Sequence, residues 1–220
     1  MRRREFIAAL AGAAALPGSA LAQRQAPLVG FLNSASPDTY RFNADSFREG
    51  LAKEGFVEGR NLRIEERWAK GDYDALPRLA TELVKLGAVV IAATGDVASA
   101  RAAQAASGTV PVVFTIGGDP VRHGLIKSVN RPGGNVTGIL FNQTVLGAKR
   151  VELLKEIVPG TSRVALLMNP NNPNVRAEQT DAESGAGKLG IDAVVIEARN
   201  SAEIDAAFEQ MAKANIHALI

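Results

Sequence analysis

Along most of the chain, short apolar runs alternate with longer stretches in which apolar residues recur every three or four positions. Residues 28–32, 62–68, 88–92, 110–114 and 136–141 predict five strands. Between them, Tyr40, Ala44, Phe47 and Leu51 keep helical spacing up to Gly55, which is placed to end the helix in a left-handed cap. Leu76, Leu79, Ala80, Leu83 and Val84 form the buried face of a second helix, with Asp74 as its expected cap, Pro77 in its first turn and Gly87 as its stop. Asp96 is expected to cap an alanine-rich third helix that runs to Ala106. Asp119, after the fourth strand, is expected to cap another. The pattern then restarts with a helix over 145–158, a strand over 164–168, a weak helix over 174–189 and a strand over 193–197. A clear helix follows, capped by Asn200 or Ser201, with Ile204, Ala207, Phe208, Met211 and Ala212 on one face, and "IHALI" opens a further strand. Strand and helix in strict alternation is the sequence sign of βαβ units, so the expected class is α/β with parallel sheets flanked by helices.

The first 22 residues stand outside this alternation. Arg2, Arg3 and Arg4 precede a weakly apolar stretch from Phe6 to Leu21 that Gly12, Pro17 and Gly18 interrupt. It is too short and too rich in alanine and glycine to span a bilayer well, and Ala20-Leu21-Ala22 supplies the small residues of a cleavage site. The reading is a cleavable export signal over 1–22 with the mature chain beginning at Gln23. Its Arg3-Arg4-Glu5-Phe6-Ile7 resembles a twin-arginine signal, the ordinary secretory route being the alternative. Removing the segment takes three arginines and one glutamate from 25 basic and 23 acidic residues, leaving 22 of each. A neutral mature chain with no basic stripe argues against nucleic-acid binding. With no cysteine there is no disulfide, thiolate metal site or lipid-bearing cysteine. An exported chain without an anchor is expected in a periplasm.

Candidate chemistry is sparse. His123 and His217 are far apart in sequence and belong to no metal-binding pair; His217 reads as a packing or surface residue, and His123 lies just past a strand end. Asn33-Ser34-Ala35-Ser36 follows the first strand where a dinucleotide site needs glycines. "SGAGKL" over 184–189 lacks the first glycine and the final hydroxyl of a phosphate loop and falls inside a helical stretch. No catalytic residue, metal or cofactor is therefore expected. What remains is a set of small polar residues at predicted strand ends: Asn33 and Ser34, Thr94, Gly95 and Asp96, Gly118 and Asp119, Asn142, and Asn169. In an open parallel sheet these ends share one edge, where helix N-termini offer free amides to a ligand. The aspartates and glycines also serve as caps and turns, and both uses are compatible. Asn33, Ser34, Thr94 and Asp119 are the expected polar contacts, with Gly95 and Gly118 for close backbone approach. An amino-acid ligand would set its ammonium group against Asp96 or Asp119 and its carboxylate against helix-start amides. The alternative is an exported α/β hydrolase or transferase with Asp96 or Asp119 as base, although no nucleophile partner is visible.

Several stretches, "VGFLNSASPD", "FREGLAKEGFVEGRNLRIEERWAKGDYDALPRLATELV", "VPVVFTIGGDPVRHGLI", "RPGGNVTGI", "GAKRVELLKEIVPGTSRVALLMNPNNP" and "EIDAAFEQM", together resemble the bacterial ABC-transporter substrate-binding proteins of the type that includes tryptophan- and phenylalanine-binding members. The likeness runs in order through nearly all of residues 28–220. It implies a two-lobed type I periplasmic binding protein, a monomer that closes on a small-molecule ligand and delivers it to an ABC permease in the inner membrane. The first α/β lobe would occupy 23–144, and 145–220 would be a partial second lobe. Members of that family continue further, so the resemblance implies an incomplete second lobe and weak ligand binding by this chain alone. By the same likeness, "NSAS", "ATGD" and "IGGDP" line the first lobe's side of the cleft, and "NPNNPN" begins the second lobe's side.

Overall fold

The computed structural model describes residues 26–141 and 146–220. The expected export segment and Asn142 lie outside the described residues. Five strands, β1 (Leu28–Asn33), β2 (Arg63–Trp68), β3 (Ala88–Thr94), β4 (Val112–Ile116) and β5 (Val136–Leu140), pair in parallel in the order β2-β1-β3-β4-β5. Helix α1 (Pro37–Lys53) covers one face, where Ala44 and Phe47 pack with Phe31, Ala92 and Trp68. Helices α2 (Leu76–Lys85) and α3 (Val97–Ala106) cover the other, burying Leu76, Leu83, Val97 and Ala103 against Ile91 and Phe114. The chain thus winds one way from β1 to β2 and the opposite way from β3 onward, so the order reverses between β1 and β3. At such a reversal the loops leaving the two strands diverge to opposite faces and open a crevice at the strands' C-terminal ends.

Local signals explain most boundaries. Ser36 caps α1, Pro37 occupies its first position, and Gly55 (φ 86°) takes up the left-handed turn that ends it. Asp72, not Asp74, does the capping before α2: its side chain accepts from the Asp74 amide at 3.1 Å and starts a 3-10 turn, Tyr73–Ala75, that runs directly into the helix. The turn moves the start of helical winding upstream, so the cap moves with it. No helix follows β4 either. The Asp119 carboxylate accepts from the Val121 and Arg122 amides at 2.9 and 3.2 Å, yet the chain makes a single turn and leaves it at Gly124 (φ 71°). The glycine and proline residues from 132 to 134 then offer no continuation for a helix.

The second sheet has β6 (Arg163–Met168) and β7 (Asp192–Glu197) in parallel. Residues 218–220 pair along the other side of β6, with the Ala165 and Leu167 amides donating to the Ala218 and Ile220 carbonyls at 2.9 Å each. "IHALI" is thus strand-like as expected. Helices α4 (Gly147–Ile157) and α5 (Val175–Lys188) lie on one face around Val151, Leu166 and Ala186, and α6 (Ser201–Lys213) lies on the other around Ala207 and Met211. The approach of α4 to α5 depends on Gly185, because a side chain there would strike the Ala148 backbone. Helix α4 has no cap of its own; Asp181 of α5 supplies one, accepting from the Ala148 amide at 2.9 Å. Among the described residues, no helix is long and apolar enough to cross a membrane.

Candidate functional site

The reversal point brings the ends of β1 and β3 side by side, with Asn33 and Thr94 as register partners. Asn33 is wholly buried, and both ends of its amide are engaged: Nδ2 donates to Thr94 Oγ1 at 2.8 Å, and Oδ1 accepts from the Ala35 amide at 2.7 Å. A buried amide satisfied in this way fixes the two strand tips to each other. Ser34 is buried next to them, and Gly95 (φ 99°) passes so close that a Cβ there would lie 2.7 Å from Ser34 Oγ. Both the backbone angle and the spacing require glycine at this position.

Asp96 follows, 5% exposed, its Oδ1 accepting from the Ser99 amide at 3.0 Å as the cap of α3. It also pairs with the Tyr73 hydroxyl; burial, then the Asp96 charge, push that hydroxyl far above the usual tyrosine range. Tyr73 therefore stays protonated. Asp119 spends an oxygen on its own turn, as described above, and is exposed, while Gly118 beside it is buried. With an oxygen of each committed to backbone amides, Asp96 and Asp119 have the geometry of capping groups rather than of a poised base.

Across from Gly118 stands the loop that follows β6. Asn169 Oδ1 accepts from the Asn171 amide at 3.0 Å, and Asn172 Oδ1 accepts from the Asn174 amide at 2.9 Å, so two successive Asx turns aim the chain into α5. Asn174 ends this run, 6% exposed, with its Oδ1 against Gly118 at the place where a Cβ would project. The Val97 side chain, at the start of α3, borders the same point. The loops after β3, β4 and β6 thereby meet, and the two sheets face each other through their C-terminal edges.

Of the expected site residues, Asn33, Ser34, Thr94, Gly95 and Asp96 form one contiguous group, and Gly118 joins it through Val97 and Asn174. Asp119 is the next residue along. Asn169 lies in the second unit and lines a cavity of about 220 Å³ with Gly147, Arg150, Met168 and Glu178. Burial raises the Glu178 carboxyl above its ordinary range, partly offset by Arg150. His123 is half-buried in the turn after Asp119, and His217 is exposed and paired with Asn215 Oδ1 at 2.9 Å. Asn174 was not singled out by the sequence, although it closes the "NPNNPN" run that pointed to this loop. Among the described residues, no group of three or more His, Cys, Asp or Glu side chains is arranged to hold a metal.

Comparison with known proteins adds context to this geometry. A family model described as ABC transporter substrate binding protein matches residues 29–220. A tyrosine-binding protein of Clostridioides difficile is 27% identical over 165 residues, covering 75% of this chain and 47% of the relative. A conserved domain protein of Vibrio cholerae superimposes with a TM-score of 0.77 at 27% identity, over 86% of this chain and 63% of that one. An ABC domain from Streptococcus pneumoniae in complex with L-Trp does so with a TM-score of 0.74 at 23% identity, over 85% and 62%. The chain therefore spans about half the length of the curated relative and under two thirds of these two structures.

Proposed function

The chain belongs to the family of ABC transporter substrate-binding proteins, and from that premise we propose that it is the solute-binding component of an importer for a hydrophobic or aromatic amino acid. The observation that carries this reading is the meeting of the loops after β1, β3, β4 and β6 along facing sheet edges. Small polar side chains and two glycines lie there, beside the N-terminus of α3, in an arrangement suited to gripping a guest and short of groups that would transform it. The family's name describes binding rather than turnover, which weighs against a hydrolase or transferase using Asp96 or Asp119.

In this reading Ser34 and Thr94 offer hydroxyls to the solute, and Gly95 and Gly118 let it approach the backbone. Asp119 faces an ammonium group, and the first amides of α3 receive a carboxylate at the positive end of the helix dipole. Asn33 acts behind them by holding the tips of β1 and β3. Asn169 adds to the rim, and Asn142 is a further candidate contact from the sequence. The relatives favour an amino acid as ligand, one being named for tyrosine and another holding L-Trp. Ligand contact with both lobes would favour their closed arrangement, and a permease in the inner membrane would receive the solute from a monomeric, periplasmic carrier released from an export signal at residue 22. The division into lobes at residues 144 and 145 belongs to the same proposal.

A thermal-shift screen at millimolar concentration with the common L-amino acids, monosaccharides and benzoates tests it. Stabilisation by apolar or aromatic amino acids supports the reading. Stabilisation by sugars or benzoates alone, or by nothing on the panel, refutes it.

A further inference from the structure

We infer that Asn174 recognises the amino group of the solute and that Gly118 is glycine so that this can happen, an inference that rests on the amino-acid reading above. Asn174 occupies the N-cap position of α5, where an asparagine side chain ordinarily accepts from an amide of the first turn. Here it makes no such bond. Its Oδ1 lies instead against Gly118 of the other unit. The oxygen is buried, and no donor among the described residues reaches it. A buried acceptor without a donor is costly, and native proteins tolerate one chiefly where something else supplies the proton.

The surroundings define what that something is. The backbone that carries Asn174 is braced by the Asn169 and Asn172 turns, and its side chain is packed against Gly118. Facing it is Gly118, whose lack of a side chain leaves room for the oxygen. Asp119 follows directly, and the capping carboxylate of Asp96 adjoins Val97. A buried amide oxygen without a donor is complemented by a hydrogen-bond donor, and an amino acid presents a charged one in its ammonium group. Asn174 would then link the second unit to the first through the ligand, and a solute that lacks the amine would leave the oxygen unpaired.

The experiment compares L-tryptophan, L-tyrosine and L-leucine with their counterparts lacking the amine, indole-3-propionate, 3-(4-hydroxyphenyl)propionate and 4-methylpentanoate. Affinities are read by ligand-observed NMR at up to millimolar concentration, with circular dichroism as the check on folding. Wild type is expected to prefer the amine-bearing member of the pair it binds by about tenfold or more. Asn174→Ala should reduce the preference several-fold by weakening only the amine-bearing ligand, with Asp119 keeping the remainder. Asn174→Asp, which keeps an acceptor, should retain the preference. Gly118→Ala, which places a methyl group at the oxygen's position and so displaces it while leaving residue 174 an asparagine, should reduce it likewise, and it carries the test if Asn174→Ala does not fold. No preference in wild type, or a preference that survives undiminished in both Asn174→Ala and Gly118→Ala, overturns the inference while leaving the amino-acid reading intact. Equal weakening of both ligands in these variants, the mark of a merely structural role, also overturns it. Binding of none of the six ligands by wild type overturns the amino-acid reading and the inference with it.

Discussion

Replacing Asn33 by alanine removes the bridge between the tips of β1 and β3 and leaves the Ala35 amide without its acceptor. The orphaned amide of half-buried Ala35 sits beside wholly buried Asn33 and costs about 1–3 kcal/mol, and the lost bond to half-buried Thr94 adds about 1 kcal/mol. The sum is about 2–4 kcal/mol. At about 2–4 °C per kcal/mol for a chain of this size, the melting temperature should fall by roughly 5–15 °C. Urea unfolding followed by fluorescence suits the measurement, because the single tryptophan, Trp68, sits on Phe31 with ring centroids 5.3 Å apart and reports on the first sheet alone. Thr94→Val and the double variant close a thermodynamic cycle, in which a coupling of about 0.5–3 kcal/mol is expected for side chains in direct contact. An Asn33→Ala midpoint within experimental error of wild type, or a coupling of zero, would refute the bridge and with it the positioning role assigned to Asn33.

Three further predictions follow from the same geometry. Gly95→Ala combines an unfavourable positive φ with a Cβ 2.7 Å from Ser34 Oγ and should destabilise the first sheet by about 1–3 kcal/mol, read from its urea midpoint; an unchanged midpoint would contradict it. Asp181→Ala takes the borrowed cap from α4 and should cost about 0.5–2 kcal/mol in urea unfolding followed by circular dichroism, with Asp181→Asn recovering much of the loss. Burial raises the Glu178 carboxyl in the folded chain, so the folded state holds its proton more tightly than the unfolded state does. The stability linked to that proton is therefore fully present below the ordinary value of 4.5 and is lost as pH rises through the higher folded value. Glu178→Gln should match wild type in acid and become the more stable of the two near neutrality; a gap that does not grow with pH would contradict this.

How much of this was legible in the sequence depended on whether the signal was local. The alternation of apolar runs and helical spacing located every strand and helix of the two sheets to within a few residues, because Gly55, Gly87, Pro77 and the caps Asp96 and Asn200 act over one turn of chain. Asp72 displaced Asp74 because an unforeseen 3-10 turn shifted the start of winding. The helix expected after Asp119 failed for a different reason: an Asx turn and a helix cap open with the same bonds, and only the residues beyond Gly124 decide between them. At the candidate site, the strand-end rule pointed to residues from Asn33 to Asp96 that do lie together at neighbouring strand tips. It could not show that Asn33 is saturated by Thr94 and Ala35, since that depends on strand register. Asn174 escaped notice for a related reason. Among four asparagines in a short loop, only the packing against Gly118 reveals which one leaves its helix uncapped.

Backbone amide NMR of the ¹⁵N-labelled chain, titrated with L-tryptophan, L-tyrosine and L-leucine in turn, would decide whether the facing strand ends form the solute site. The expected result is that one of these ligands shifts the amides of Ser34, Gly95, Gly118 and Asn174 together, with a common saturation curve. Shifts confined to residues remote from those strand ends, or no shift with any of the three, would contradict it.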